Sequence, residues 1–226
     1  MENIIVLSVI LVLIIGVLLY FIFNRKKIKL KLLEEEAAKG NSDTLLALGL
    51  MFYSGVKVDE DKEKGVSYIK KAAESGNAQA MYLYSGILLG EAGNEKPTQE
   101  QMQEAASWIV KSADAGFLTA VTTLANMYAE GKILPKSAKK AQHYFLHAAM
   151  KGDMQSQVTV AGYYHFSVDG NKLEAYAWYK VAEDNGSEYA KEMAEKIYNE
   201  FSDDDKVKAH EKFELFLAQY GKSSLN

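Results

Sequence analysis

Residues 48–76 read LGLMFYSGVKVDEDKEKGVSYIKKAAESG, a stretch that holds two helical patterns joined by a short loop. Within it, small and large residues recur three or four positions apart, which is the spacing of neighbours on one helix face. Asp61 is a favourable N-cap for the second helix, and Gly76 suits the left-handed position that ends it. The stretch therefore predicts one pair of packed helices.

The same pattern recurs along the chain when it is aligned on a glycine that is followed four residues later by a small residue. Four residues before each glycine lies another small residue, and eight residues before it lies an aromatic one. The aligned glycines are Gly76, Gly116, Gly152 and Gly186, with a weaker start at Gly40. The aromatic positions are Tyr68, Trp108, Tyr144 and Trp178. A register that is kept over four units predicts a helical repeat protein.

The starts of the second helices carry their own signals. Asp61, Ser137 and Asn171 each lie seven residues before the aromatic position, and each is a good N-cap. In the second unit, Thr98 and Gln101 form a capping-box pattern one turn earlier. This additional turn accounts for the spacing of 40 residues in that unit, where the other spacings are 34 to 36.

Two units contain motifs that can be compared with known repeats. Residues 48–55 follow L-G-x-x-F-x-x-G and residues 64–76 follow K-G-x-x-Y-x-x-K-A-A-x-x-G. Residues 124–131 and 140–152 follow L-A-x-x-Y-x-x-G and K-A-x-x-Y-x-x-H-A-A-x-x-G. These motifs resemble the Sel1-like repeat family, a branch of the tetratricopeptide-like solenoids. The resemblance implies an all-α fold, an α-solenoid of about four to five helix-turn-helix repeats.

A dense apolar block precedes the repeats. Seventeen of the twenty residues 4–23 are Ile, Leu, Val or Phe, and none is charged. Twenty helical residues span the hydrocarbon core of a bilayer, which is about 30 Å thick. A cleaved signal peptide would have a basic start and a shorter apolar run, and a buried core helix would keep an amphipathic pattern. The block therefore predicts a single transmembrane helix.

The flanks of this block differ in charge. The preceding flank offers only the α-amino group, set against Glu2. The following flank contains five basic residues, Arg25, Lys26, Lys27, Lys29 and Lys31. Because positive charge marks the cytoplasmic side, we expect a bacterial inner-membrane protein with its repeats in the cytoplasm. The periplasmic orientation is the alternative, and the basic flank could also contact anionic lipids.

These patterns divide the chain into four parts. Residues 1–24 form the transmembrane helix with a short N-terminal tail, and residues 25–40 form a basic juxtamembrane segment and a leading helix. Residues 41–200 form the repeats. Residues 201–226 form a capping helix and a tail, because a terminal helix must cover the exposed face of the last repeat.

Several function classes are excluded by composition and by missing motifs. The chain has no cysteine, and residues 32–226 hold 21 basic and 29 acidic side chains, a net charge of −8 that argues against nucleic acid binding. No phosphate-binding or nucleophile-elbow motif is present. His143 and His147 lie four residues apart but lack a third ligand, and the acidic run 203–205 is a helix cap. We therefore predict no catalytic residue, metal or cofactor, no small-molecule substrate, and no enzyme activity.

The candidate binding residues come from the resemblance. Helix-pair solenoids expose an extended concave surface that is lined by the first helix of each repeat. Tetratricopeptide geometry implies that positions three, six, ten and thirteen after each aligned glycine face this surface. The predicted partner-binding residues are Leu46, Leu50, Tyr53, Gln79, Tyr82, Leu89, Thr119, Thr122, Asn126, Gln155, Val158 and His165. The set contains no Lys or Arg and suits a helix or extended segment of a protein partner.

The resemblance implies an adaptor function. Sel1-like proteins generally assemble complexes, and bacterial ones often act at the cell envelope. The first hypothesis is therefore a scaffold that belongs to a membrane-associated complex or helps to assemble it. The alternative is an immunity or inhibitor protein that occludes a toxin.

Overall fold

A computed structural model describes residues 15, 29–90, 96–168 and 170–221 of the chain. Eleven helices lie in these ranges and no strand does, so the all-α prediction is confirmed for them. The helices are α1 (29–38), α2 (Ser42–Ser54), α3 (Lys62–Glu74), α4 (Ala78–Leu88), α5 (Gln99–Asp114), α6 (Leu118–Glu130), α7 (Ala138–Met150), α8 (Met154–Phe166), α9 (Lys172–Asp184), α10 (Glu188–Asn199) and α11 (Asp203–Tyr220). We call α2, α4, α6, α8 and α10 first helices, and α3, α5, α7 and α9 second helices, while α11 is the terminal helix.

The aligned glycines end helices, as predicted. All five adopt the left-handed conformation, with φ of +86° at Gly40, +91° at Gly76, +87° at Gly116, +86° at Gly152 and +101° at Gly186. In this region a Cβ atom would clash with the backbone, so glycine is the favoured residue. Each glycine stands between a second helix and the next first helix, so one repeat ends where the next begins.

The predicted N-caps of the second helices are also confirmed. Asp61 accepts a hydrogen bond from the Lys64 backbone N–H at 2.9 Å, and Ser137 and Asn171 cap α7 and α9 in the same way. Thr98 and Gln101 form both halves of the capping box that starts α5. Each such cap is worth about 1 kcal/mol, so the helix starts are determined locally.

The described residues form two compact units, which are divided between residues 81 and 82. In the first unit, α2 and α3 pack around the buried side chains of Leu48 and Ile69. The helices approach closely because two glycines lie at their crossing. A Cβ atom at Gly65 would lie 2.6 Å from the backbone N of Tyr53, and one at Gly49 would lie 2.6 Å from Ile69 Cγ1.

Helix α1 is attached to this first unit. Lys64 Nζ lies 3.0 Å from Glu34 Oε1 of α1 and 4.0 Å from the centre of the Phe52 ring. The Phe52 ring in turn stacks on Tyr68 with ring centres 5.9 Å apart. The ion pair is partly exposed and contributes at most about 1 kcal/mol. The buried Ala37 adds apolar contact on the same helix.

The second unit has its largest core near its C-terminal end. Trp178 is 2 % exposed, and its ring lies 5.1 Å from both the Phe216 and the Tyr220 rings of α11. Lys212 of α11 also pairs with Glu174 of α9. Helix α11 therefore covers the last repeat, and its range lies inside the segment predicted as a capping helix and tail.

The predicted transmembrane segment, residues 4–23, lies outside the described residues except for Ile15. Among the helices of the described ranges, none has both the length and the apolar character needed to cross a bilayer.

Candidate protein-binding surface

Charged residues are almost absent from four of the first helices. Helices α2, α4, α6 and α8 contain Asp43 and Glu130 but no other Asp, Glu, Lys or Arg. By contrast, α3 alone contains Lys62, Glu63, Lys64, Lys70, Lys71 and Glu74. Interface cores are depleted of charged residues, because desolvating a charge costs far more than desolvating a neutral group. This difference marks α2, α4, α6 and α8 as the helices best suited to burial against a partner.

In the first unit, the predicted binding residues have unequal exposure. Leu46 is only 7 % exposed and belongs to the core, because its side chain points inward from α2. Leu50 is 40 % exposed, and Gln79 is also exposed. Tyr53 is half-buried, and its backbone forms the contact with Gly65. Leu50, Tyr53 and Gln79 therefore keep surface that a partner could contact.

In the second unit, Tyr82 of α4 and Leu89, which directly follows α4, have a packing role. The ring of Tyr82 lies 5.4 Å from that of Phe117, and its hydroxyl accepts a hydrogen bond from Thr123 Oγ1 at 3.4 Å. Leu89 packs against the same apolar cluster. Both side chains are half-buried, so truncation of either would alter the packing as well as the surface.

Helices α6 and α8 present a neutral polar surface, which we call the α6/α8 surface. Its predicted members Thr119, Asn126 and Gln155 are exposed, and Thr122 is half-buried. The Thr122 hydroxyl donates to the Thr119 carbonyl at 2.9 Å. The surface therefore offers amide and hydroxyl groups without a formal charge.

Val158 and His165 complete the predicted set on α8, and both are half-buried. The His165 Nδ1 atom is buried and has no hydrogen-bond partner within the described part of the chain. Burial lowers the pKa of His165, and the nearby Glu200 carboxylate offsets part of this shift. Burial therefore favours the neutral imidazole.

Sequence reasoning missed several exposed apolar side chains near the end of α8 and at the start of α10. Phe166 is 70 % exposed, Val168 is fully exposed and Tyr189 is 54 % exposed. Burial, with a smaller contribution from the neighbouring Tyr189, raises the pKa of Tyr179 to about 12. The apolar end of α8 was visible in the sequence, but the contact between Tyr179 of α9 and Tyr189 of α10 was not.

No other chemistry is evident in the described ranges. They contain no group of three His, Asp or Glu side chains that could hold a metal ion. His143 is exposed and contacts the Tyr144 ring edge-on, while His147 is half-buried. A cleft of about 410 Å³ in the first unit is lined by Glu34, Tyr68 and Lys71, among others. Its open shape and mixed charges lack the convergent polar groups of a small-molecule site.

Solved structures with the same fold come from several bacteria. A Sel1 repeat protein from Oxalobacter formigenes is 24 % identical, with a TM-score of 0.60 over 84 % of this chain and 76 % of that one. A protective antigen from uropathogenic Escherichia coli is 19 % identical, with a TM-score of 0.54 over 86 % of this chain. The chain spans about half of that antigen, 49 % of its length.

An immunity protein from Pseudomonas aeruginosa is also similar, at 18 % identity over 84 % of this chain and 71 % of that one. Its TM-score of 0.42 is too low to support an argument about this chain. The Sel1 repeat model itself matches residues 42–77, 78–117, 123–153 and 160–187. These matches cover more than half of the sequence and coincide with the helix pairs described above, and the chain therefore belongs to the Sel1 repeat family.

Proposed function

We propose that this protein is a membrane-anchored scaffold that binds a protein partner through its first helices, chiefly through the α6/α8 surface. The observation that carries the proposal is the near absence of charge on α2, α4, α6 and α8. The Sel1 repeat fold, which is typical of protein–protein interaction, supports the same function. In this proposal the protein is a subunit or an assembly factor of a bacterial membrane complex.

The physical basis is the cost of removing water from the two sides of a repeat. A partner that covers α6 and α8 displaces water from hydroxyl and amide groups, which can form new hydrogen bonds with it. A partner that covers α3 or α9 would also have to desolvate several lysine and carboxylate groups. Helices α6 and α8 are therefore less costly to bury than α3 or α9.

A charge placed on the α6/α8 surface should abolish partner binding. Gln155 of α8 is exposed, so Gln155→Arg should leave the fold intact, whereas in a complex the guanidinium would be buried without a counter-charge. We expect the amount of recovered partner to fall at least tenfold, since truncations at interface centres cost about 2 kcal/mol or more of binding free energy. The measurement is affinity purification of the tagged full chain from detergent-solubilised membranes of its native host, quantified by mass spectrometry.

Gln142→Arg is the matched control, because Gln142 is an exposed glutamine on α7, the second helix of the preceding repeat. It should retain every partner that the wild-type chain retains. Equal loss with both variants would indicate a general effect of charge, and no loss with Gln155→Arg would refute binding through this surface. Recovery of a single toxin-like partner would favour the inhibitor function over the scaffold.

The membrane part of the proposal rests on residues 4–23 and on the basic residues that follow them. We propose that this segment anchors the protein in the inner membrane with the repeats in the cytoplasm. The anchor would keep the α6/α8 surface close to membrane-bound partners, which raises their effective concentration.

Topology can be measured with two reporters fused at Asn226. Alkaline phosphatase, which is active only outside the cytoplasm, should be silent, and green fluorescent protein should fluoresce and sediment with membranes. Deletion of residues 4–23 should move the fluorescence to the soluble fraction. Strong phosphatase activity would reverse the orientation and favour the inhibitor function, while a soluble full-length fusion would refute the anchor.

A further inference from the structure

Gly162 leaves a gap on the outward side of α8. Apart from the backbone of its own helix, a Cβ atom at this position would have one described neighbour within 4 Å, the Tyr179 hydroxyl oxygen at 3.9 Å. Gly162 occupies the position in α8 that the exposed Asn126 occupies in α6. Because glycine is a poor helix former and close packing does not require it here, the missing side chain has no structural explanation in the free chain.

Large side chains of α8 border the gap. Val158 lies one turn before Gly162, and His165 and Phe166 lie one turn after it, so all of them share one side of the helix. The Phe166 ring stacks on His165 with ring centres 4.2 Å apart, yet it remains 70 % exposed. This end of the gap therefore presents an aromatic face to solvent.

Two tyrosines from other helices complete the depression. Tyr179 of α9 is 1 % exposed, and its ring meets that of His165 edge-on at 6.1 Å. Tyr189 of α10 is 54 % exposed, and its ring lies 6.4 Å from that of Tyr179. Tyr179 thus forms the floor of the gap, and Tyr189 extends the aromatic surface from Tyr179 towards solvent.

The α8 side of the depression carries no formal charge. Helix α8 contains no Asp, Glu, Lys or Arg, and burial lowers the pKa of His165, which favours its neutral form. The charged groups that act on His165 are Lys172 and Glu200, which pair with each other at 2.6 Å. A charged side chain that entered the depression would lose its hydration without gaining a free counter-charge. An apolar side chain would bury aromatic surface.

We propose that this depression holds one large apolar side chain, aromatic or leucine-like, from an uncharged segment of the protein partner. The inference rests on the proposed function, since it identifies the part of the binding surface that takes the partner's anchor residue. Anchors of this kind fill pockets near interface centres and supply most of the binding energy. The unpaired His165 Nδ1 beside the gap supports it, because unsatisfied buried atoms tend to mark functional sites.

Filling the gap tests the inference with little risk to the fold. Gly162→Leu should occupy the depression and reduce partner recovery by about tenfold, the value of one buried anchor side chain. Gly162→Ala should reduce it less. Both variants should melt at or above the wild-type temperature, because each replaces a helical glycine that has room for a side chain.

A second pair of variants covers the case in which Gly162→Leu fails to fold. Phe166→Ala and Tyr189→Ala remove exposed walls of the depression and should each weaken partner recovery by about fivefold or more. Leu215→Ala, which removes a 55 % exposed apolar side chain from α11, is the control and should have no effect.

The chemistry of the guest is tested with a defined probe, the neutral nonapeptide GSTNXTNSG. The full chain is held in lipid nanodiscs, empty nanodiscs serve as the reference, and X is Trp, Phe, Leu, Ala, Lys or Glu. Peptides with Trp, Phe or Leu should bind about tenfold more tightly than the Ala peptide, and Gly162→Leu should abolish the difference. Preferred binding of the Lys or Glu peptide, or an unchanged preference in Gly162→Leu, would overturn the inference.

The outcomes separate this inference from the proposed function. If Gln155→Arg releases the partner but Gly162→Leu and the wall variants do not, the surface binds without this anchor and only the inference fails. If neither Gln155→Arg nor Gly162→Leu releases the partner, both fail.

Discussion

Replacement of Trp178 with alanine should lower the free energy of unfolding of the second unit by about 3–5 kcal/mol, the cost of deleting a buried tryptophan. Trp178 is 2 % exposed and contacts Phe216 and Tyr220 of α11. Its loss removes apolar contact from α9 and also detaches the helix that covers the last repeat. Few other single substitutions should affect this unit as strongly.

Urea denaturation followed by fluorescence measures the effect directly. The chain contains two tryptophans, both in the second unit, so Trp108 still reports the unfolding of that unit in Trp178→Ala. Leu215→Ala, on the exposed side of α11, should change the stability by less than about 0.5 kcal/mol. An effect below about 1 kcal/mol in Trp178→Ala would mean that α11 does not pack on α9 as described.

Gly65→Ala should destabilise the first unit by about 1–3 kcal/mol, the usual cost of overpacking, although alanine is the better helix former. The added Cβ would lie 2.6 Å from the backbone N and 2.8 Å from the Cα of Tyr53. Backbone atoms cannot rotate away, so α2 and α3 would have to separate. Hydrogen exchange of the α2 and α3 amides should then accelerate.

Gly162→Ala is the matched control, because it makes the same substitution in a helix where the added atom meets no backbone of another helix. It should raise stability by up to about 1 kcal/mol. If Gly65→Ala were also stabilising, the two helices would not cross at Gly65.

Local rules predicted the helix pairs well. The left-handed glycines, the caps at Asp61, Ser137 and Asn171 and the capping box at Thr98 depend on a few neighbouring residues, which the sequence displays directly. Partners of the aromatic positions were harder to predict. Each of these contacts lies within one repeat, but Tyr128 and Tyr144 stack at 5.9 Å, whereas Trp108 packs edge-on against Tyr84. The ring that an aromatic residue contacts depends on the rotation of each helix about its own axis. Residue spacing does not determine this rotation.

The binding surface was less predictable for the same reason. The position of Leu46 in its repeat predicted that it lies on the binding surface. The orientation of α2 instead places its side chain in the core. The depression at Gly162 depends on a side chain that is missing and on Tyr179, which reaches it from a second helix. A search for exposed side chains on first helices could find neither feature.

The near-identical junctions between repeats make whole repeats exchangeable in protein engineering. Gly116 and Gly152 have φ of +87° and +86°, and the residues that follow them, Phe117 and Asp153, have ψ of 108° and 104°. Excision of residues 117–152 would therefore join two ends that already share one geometry, and duplication of the same segment would insert a repeat without a new linker. Variants with a shorter or longer row of first helices could thus be built without redesign of any loop.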